Sequence, residues 1–179
     1  MIFSAHAIVG AAVAQMFPEN PVLGFCAAFA SHFVCDAIPH WEYHLRSAHI
    51  DSANELNNDM KINRAFLFDL ARMGLDALLG VAVAAYLFQP WFEGVPEQRW
   101  LPETTQWMIG VVGGLLPDFL QFVYWKLRRE PLIGLQKFHL WIHSKKKLDK
   151  YPILGILFQI ACVAAIVATT IFVRFQRGA

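Results

Sequence analysis

Within Ser31-His32-Phe33-Val34-Cys35-Asp36-Ala37-Ile38-Pro39-His40 an imidazole and a carboxylate stand four residues apart. On a helix that spacing puts both on one face, one turn above the other. Pro39 predicts the end of that helix and leaves His40 just beyond it. The stretch closes an apolar run that begins at Pro21, and such a pair in apolar surroundings is costly unless it is paired or binds something. Phe138-His139-Leu140-Trp141-Ile142-His143-Ser144 repeats the spacing with two imidazoles, and one helix face can then supply two ligands to a metal. With His6, Asp118 and Asp76 the chain offers three or four imidazoles and two or three carboxylates. Zinc suits that mixture, and manganese or iron are admissible. Six or seven ligands exceed one tetrahedral site, so one or two divalent ions are expected. Such ions lower the pKa of a bridging water and neutralise a developing oxyanion.

Each residue also has a plainer reading. His6 is a ligand or an interfacial, packed histidine, and His32 with Asp36 is a ligand pair or a neutral helix-end hydrogen bond. His44 and His49 read as solvated loop residues, and so does His40 apart from its place directly after the Asp36 turn. Asp69 is expected to pair with Arg72 at i, i+3. Asp76 has Arg72 at i−4 and is divided between an intramembrane ion pair and a ligand. Glu42 and Glu130 read as surface charges, and Lys145-Lys146-Lys147 as an anionic-lipid or topology signal.

The elements that carry these residues are apolar. Of 179 residues, 56% are hydrophobic and only 16% charged, against roughly 25% charged in an ordinary soluble domain. Ile153 to Val173 is free of charge, with Gln159 its one amide, long enough to cross a hydrocarbon core of about 30 Å. The chain is therefore expected to be all-α, a single membrane-embedded domain over 1–179. About five hydrophobic helices are expected: Ile2 to Phe17, Pro21 to about Ile38, Arg64 to Gln89, Thr104 to Leu127, and the last span. The first is short for a crossing and expected to be tilted or half-inserted. Pro117 should kink or break the fourth, freeing backbone groups beside Asp118. Pro90 to Glu103, with Trp91, Trp100 and three prolines, is expected to be an ordered interfacial connection, and Trp41 and Tyr43 suit the headgroup level. Cys26, Cys35 and Cys162 lie in apolar runs without CxxC spacing and read as small core residues. A net charge of +1 argues against nucleic acid as a partner. The first residues lack a basic n-region and a small-residue cleavage site, so a cleaved signal peptide is not expected.

If five segments alternate across a bilayer, loops 39–64 and 126–150 share a side and hold eleven Lys and Arg, against three opposite: Arg99, Arg174 and Arg177. The basic loops are then cytoplasmic. His6, His32, Asp36, His40, Asp69, Asp76, Asp118, His139 and His143 all fall in the cytoplasmic half, with Asp76 and Asp118 on the order of 10–20 Å below that interface.

These residues carry a resemblance. His6 with Gly10, Leu116-Pro117-Asp118 and His139-x-x-x-His143-Ser144 resemble a bacterial inner-membrane family of metal-dependent hydrolases, itself linked by analogy to zinc-dependent phospholipase C. Ser31 to His40 is similar to a motif of small bacterial membrane proteins. Where the family often has Pro-Asp-x-Asp and His-Arg, this chain has Pro117-Asp118-Phe119 and His139-Leu140. The resemblance implies metal ligands at His6, His32, Asp36, Asp118, His139 and His143, and a multi-pass protein of the bacterial inner membrane. The expected activity is hydrolysis of a phosphoester or lipid-linked substrate at the cytoplasmic leaflet. Basic residues beside the site would hold a phosphate, and His40 or Asp76 would act as general base or orienting partner. The alternatives are a non-enzymatic membrane protein with a structural metal and, third, an ion transporter. A transporter would need polar residues through the outer half of the bilayer, where the third and fifth segments are bare.

Overall fold

The computed structural model describes residues 1–89, 100–146 and 148–177, with only the backbone at Trp100. Most of the expected connection from Pro90, including Trp91 and Arg99, lies outside the described residues, as does Lys147. The order is α1 (Phe3–Ala14), α2 (Pro21–Asp36), α3 (Arg64–Phe88), α4 (Trp100–Leu127), α5 (Leu132–Ile142) and α6 (Pro152–Gln176). A two-residue hairpin between α2 and α3 pairs β1 (Ala48–His49) with β2 (Asp59–Met60), antiparallel. The all-helical class agrees with the sequence. The number of helices does not: α5 lies inside the basic stretch expected to be a loop. Three helices, Arg64–Phe88, Leu101–Leu127 and Pro152–Gln176, are long and apolar enough to cross a membrane, while α1 and α2 are shorter apolar helices.

Helix α1 is the centre of the bundle. It is apolar on every side, as a wholly enclosed helix should be, and α2, α3, α4 and α6 surround it. Its alanines and Gly10 let neighbouring backbones come close, the packing that small residues permit where lipid supplies no hydrophobic drive. Gly110 and Gly114, four apart on α4, face it. A Cβ on Gly114 would stand 2.3 Å from the His6 carbonyl oxygen, and one on Gly10 2.3 Å from that of Gly110. The short first segment is thus enclosed by the other helices and buried in the core. Its C-terminal carbonyls, which have no partners within the helix, are met by Gln106, whose amide donates to Ala14 O at 2.7 Å and Phe17 O at 2.8 Å.

The outer helices invert the usual soluble pattern. α3 buries Asp69, Gly80, Ala84 and Phe88 and exposes Leu67, Leu75 and Leu78, and α6 exposes Ile153, Leu157 and Phe172. Asn20 and Asn63 start α2 and α3, accepting from Leu23 N at 3.0 Å and Phe66 N at 3.1 Å, as N-cap side chains do. Gln159, the single amide of the bare span, ties α6 inward: its Nε2 donates to Trp41 O at 2.8 Å.

Three local expectations are corrected. Helix α4 runs unbroken through Pro117. Pro117 has no N–H for the Gly113 carbonyl one turn earlier; next to it, Gly114 O accepts from His32 Nδ1 at 2.8 Å, so α2 supplies a donor to that turn. Asp69 does not pair with Arg72. Its Oδ2 accepts from Ser47 N and Oγ, both at 2.7 Å, while Arg72 lies over the Tyr43 ring at 4.5 Å and donates to His44 O. A buried acceptor takes the donors within reach, and the hairpin loop brings Ser47 to it. Of the cysteines, Cys35 is buried in the core, Cys162 is half-buried and Cys26 is exposed, and all three are free thiols.

Candidate metal centre

Four helices converge where α2 ends. Asp36, on the last turn of α2, is the hub. The His32 ring, one turn earlier, brings Nε2 to 3.1 Å from Asp36 Oδ2, and His139 of α5 brings Nε2 to 2.9 Å from the same oxygen. His32 Nε2 is also 3.6 Å from Asp118 Oδ1 of α4 and 3.4 Å from His139 Nε2. His6 of α1 stacks on His32 with ring centroids 3.9 Å apart and brings Nε2 to 3.2 Å from Asp36 Oδ1. The Met1 amino group donates to that oxygen at 2.6 Å. Backbone bonds lock α5 and the chain after it to the same place: Ser144 N donates to Asp36 O at 2.7 Å and Leu148 N to His40 O at 3.1 Å.

The sequence-derived residues divide as follows. His32, Asp36, Asp118 and His139 offer ligand atoms all within 4.8 Å of one another, and Asp36, His40 and His143 form a second such group. His6 touches the first through Asp36 and His32. His139 and His143, expected to serve one ion from one helix face, go to different groups. Asp76 joins neither: Tyr43 Oη donates to its Oδ2 at 3.4 Å. Glu42, read from sequence as a surface charge, is corrected. Its Oε1 is 2.8 Å from His40 Nε2 and 3.1 Å from His143 Nε2. The signal was present in the sequence, since residues two apart on extended chain share a face, and Glu42 follows His40 by two.

Three features test whether this donor set fits a cation. First, His32 Nδ1 lies against a carbonyl, which can only accept, so one hydrogen is on Nδ1 and the neutral ring presents Nε2 as a lone pair. That nitrogen faces oxygens of Asp36 and Asp118 and the Nε2 of His139. Such a group collects positive charge, as the Met1 ammonium on Asp36 already shows, and an imidazole fixed through its other nitrogen is how proteins present a metal ligand. Second, ligands bonded at about 2.0–2.1 Å sit roughly 3.3–3.4 Å apart along the edge of a tetrahedron; the contacts of His32 and His139 with Asp36, of His32 with Asp118 and of His32 with His139 are 2.9–3.6 Å, and all four ligand atoms lie within 4.8 Å of one another. Third, His6 is 1% exposed and neither of its ring nitrogens makes an aligned hydrogen bond, a loss of about 1–3 kcal/mol for a buried polar group. The buried His/Asp group could hold a metal ion.

The residues of the two groups differ in exposure one from another. His32, Asp36 and His139 side chains are 0%, 2% and 4% exposed, while Asp118, His143 and Glu42 are 21%, 22% and 33% exposed. The latter three line a cleft of about 560 Å³, whose walls also include Tyr43, Trp125 and Lys145. Burial by itself would push the Glu42 carboxyl up, but hydrogen bonds from His143 and His40, with the amino terminus nearby, outweigh it and hold the group well below the usual carboxylate range. His143 answers in the opposite sense. Burial would lower it, but the hydrogen bond to Glu42 and the charges of Asp36 and Glu42 raise it.

Fold and site together define a helical, lipid-compatible bundle with a buried imidazole and carboxylate centre at one end. No protein-family model, curated protein or solved structure matches the chain.

Proposed function

We propose that the chain is an integral membrane hydrolase dependent on a divalent metal, zinc first by its donor set, acting on a phosphoester or lipid-linked substrate at the cytoplasmic leaflet. The observation that carries this reading is the junction of a buried ligand group with an open cleft: His32 is enclosed, while Asp36, Asp118 and His139 of its group line the cleft, Asp118 the most exposed of them. Structural metal sites are closed, and catalytic ones keep a position for water. The apolar outer faces of α3 and α6 support the membrane setting, and the charge bias of the loops supports a cytoplasmic centre. The resemblance to membrane-bound metal-dependent hydrolases agrees with both.

A bound divalent ion would supply an activated water and neutralise charge on the phosphoryl oxygens. The chain's own residues orient the partners. Gly114 O fixes the His32 ring, Ile38 O fixes the His40 ring at 2.6 Å, and Lys145 at the cleft wall supplies a cation for the phosphate. Of the two residues expected to move protons, His40 stands beside Glu42, whereas Asp76 reaches the cleft only through Tyr43. Asp76 thus acts on the position of Tyr43.

The test is release of alcohol from a chromogenic phosphodiester, and of headgroup from phospholipid vesicles, by the purified chain in detergent. Zinc-dependent turnover is expected, lost on chelation, restored by zinc, and reduced at least about 100-fold by Asp118→Asn with the helical content unchanged. Full metal occupancy without turnover on either substrate would overturn the reading in favour of a structural metal, which the near-complete enclosure of His32 and His139 would then explain.

A further inference from the structure

We infer that the centre is divided into an inner and an outer cation site, the outer one built by His40, Glu42 and His143 and joined to the inner by Asp36. This rests on the metal-dependent reading above and extends it to the number of ions, their ligands and the division of work between them.

The outer residues come from two places: the extended chain just after Pro39 and the C-terminal end of α5. They meet around one atom. Glu42 Oε1 has His40 Nε2 at 2.8 Å and His143 Nε2 at 3.1 Å, and the two rings lie edge to face with centroids 4.9 Å apart. His40 Nδ1 donates to Ile38 O at 2.6 Å, which leaves Nε2 aimed at Glu42 Oε1, as a hydrogen-bond donor when the ring is protonated and as a ligand lone pair when it is neutral. This is the His32 arrangement repeated: a backbone carbonyl fixes one nitrogen and the other is aimed into a group of acceptors. His40 is only 3% exposed, so its ring is held in this orientation. Separations of 2.8 and 3.1 Å are those of neighbouring ligands around an ion held at about 2.1 Å, where an octahedral edge is roughly 3.0 Å.

Asp36 is the one residue common to both ligand groups. It bears carboxylate oxygens on two sides: Oδ2 faces His32 and His139, while Oδ1 faces His6 and the amino terminus, which itself lies 3.7 Å from Glu42 Oε1. Exposure then separates the duties. Three of the inner ligands are nearly sealed and Asp118 is 21% exposed, whereas Glu42 and His143 of the outer group are 33% and 22% exposed at the cleft. The inner ion is held tightly and sets the end of α2 against α4 and α5. The outer ion exchanges with solvent more readily, and water and substrate reach both ions from the cleft that Asp118, Glu42 and His143 line. This assigns His40 to cation binding instead of proton transfer.

The experiment is zinc titration of the full chain in detergent after chelation, with bound metal counted by elemental analysis. Wild type should take up two equivalents, one tight and one weaker. Glu42→Gln keeps the shape and removes the charge, and should leave one equivalent at the tight affinity, with the outer affinity reduced at least tenfold. His143→Gln, at the exposed end of α5, should give the same single equivalent. Two equivalents with unchanged affinities in both variants would overturn the outer site. One equivalent in wild type, unmoved by either substitution, would also overturn it while leaving the metal-dependent reading intact. No uptake in wild type would remove that reading and this inference together.

Discussion

Asp36→Asn should abolish zinc binding at both sites and lower the thermal stability of the protein. The substitution keeps the shape of the side chain and removes its charge. Asp36 is contacted by His6, His32, His139 and the amino terminus at 2.6–3.2 Å and belongs to both ligand groups. Loss of a residue that merely supports a ligand costs about 10–100-fold in affinity, so loss of a shared ligand should exceed that at each site. The fold suffers as well. Removing one member of a buried ion pair costs about 3–5 kcal/mol, because the remaining charge is left uncompensated, and here the Met1 ammonium is 1% exposed. Calorimetric melting and metal counting of the same preparation check both halves. Asp69→Asn is the control: this carboxylate is just as buried but bonds Ser47, so its loss should cost stability and leave metal uptake unchanged.

The second large effect belongs to the helix contact that aligns the ligands. Gly114→Val would force side-chain atoms to within 2.3 Å of the His6 carbonyl and 3.2 Å of Gly10 Cα. Overpacking ordinarily costs about 1–3 kcal/mol, when side chains can shift. Here the obstruction is backbone on two packed helices, so the cost should lie at or above the top of that range, a fall in Tm of roughly 6–12 °C for a chain of this size. Gly74→Ala, at a half-buried position of α3 with nothing within 4 Å of the added carbon, should instead be neutral or stabilising by up to about 1 kcal/mol. If Gly114→Val melts with wild type, α1 and α4 do not approach as described.

Much of this was legible before any coordinates. Apolar runs located α1, α2, α3, α4 and α6, because burial in lipid or core demands long uncharged stretches. The i, i+4 spacing put His32 and Asp36 on one face, and the helix placed them there. What stayed hidden depended on contacts distant in sequence. Asp69 looked committed to Arg72 because helical neighbours are all that a sequence window displays, and Ser47 is 22 residues away. The centrality of α1 was masked by its length, though its alanines and Gly10 were the sign that backbones would close on it. Helix α5 hid in a stretch whose lysines resembled a loop, with only His139 and Gln136 fully buried. Glu42 was missed because a charge just past a helix end is usually solvated, and only the fold brings His143 across to it.

Anomalous diffraction from crystals of the purified wild-type chain, recorded at the zinc, iron and manganese edges, tests the metal centre most directly. The expected result is one strong peak among His32, Asp36, Asp118 and His139 and a weaker one among Asp36, His40, Glu42 and His143. Imidazoles and carboxylates hydrogen-bonded directly to one another, with no anomalous peak in crystals soaked to saturation with zinc, would contradict it.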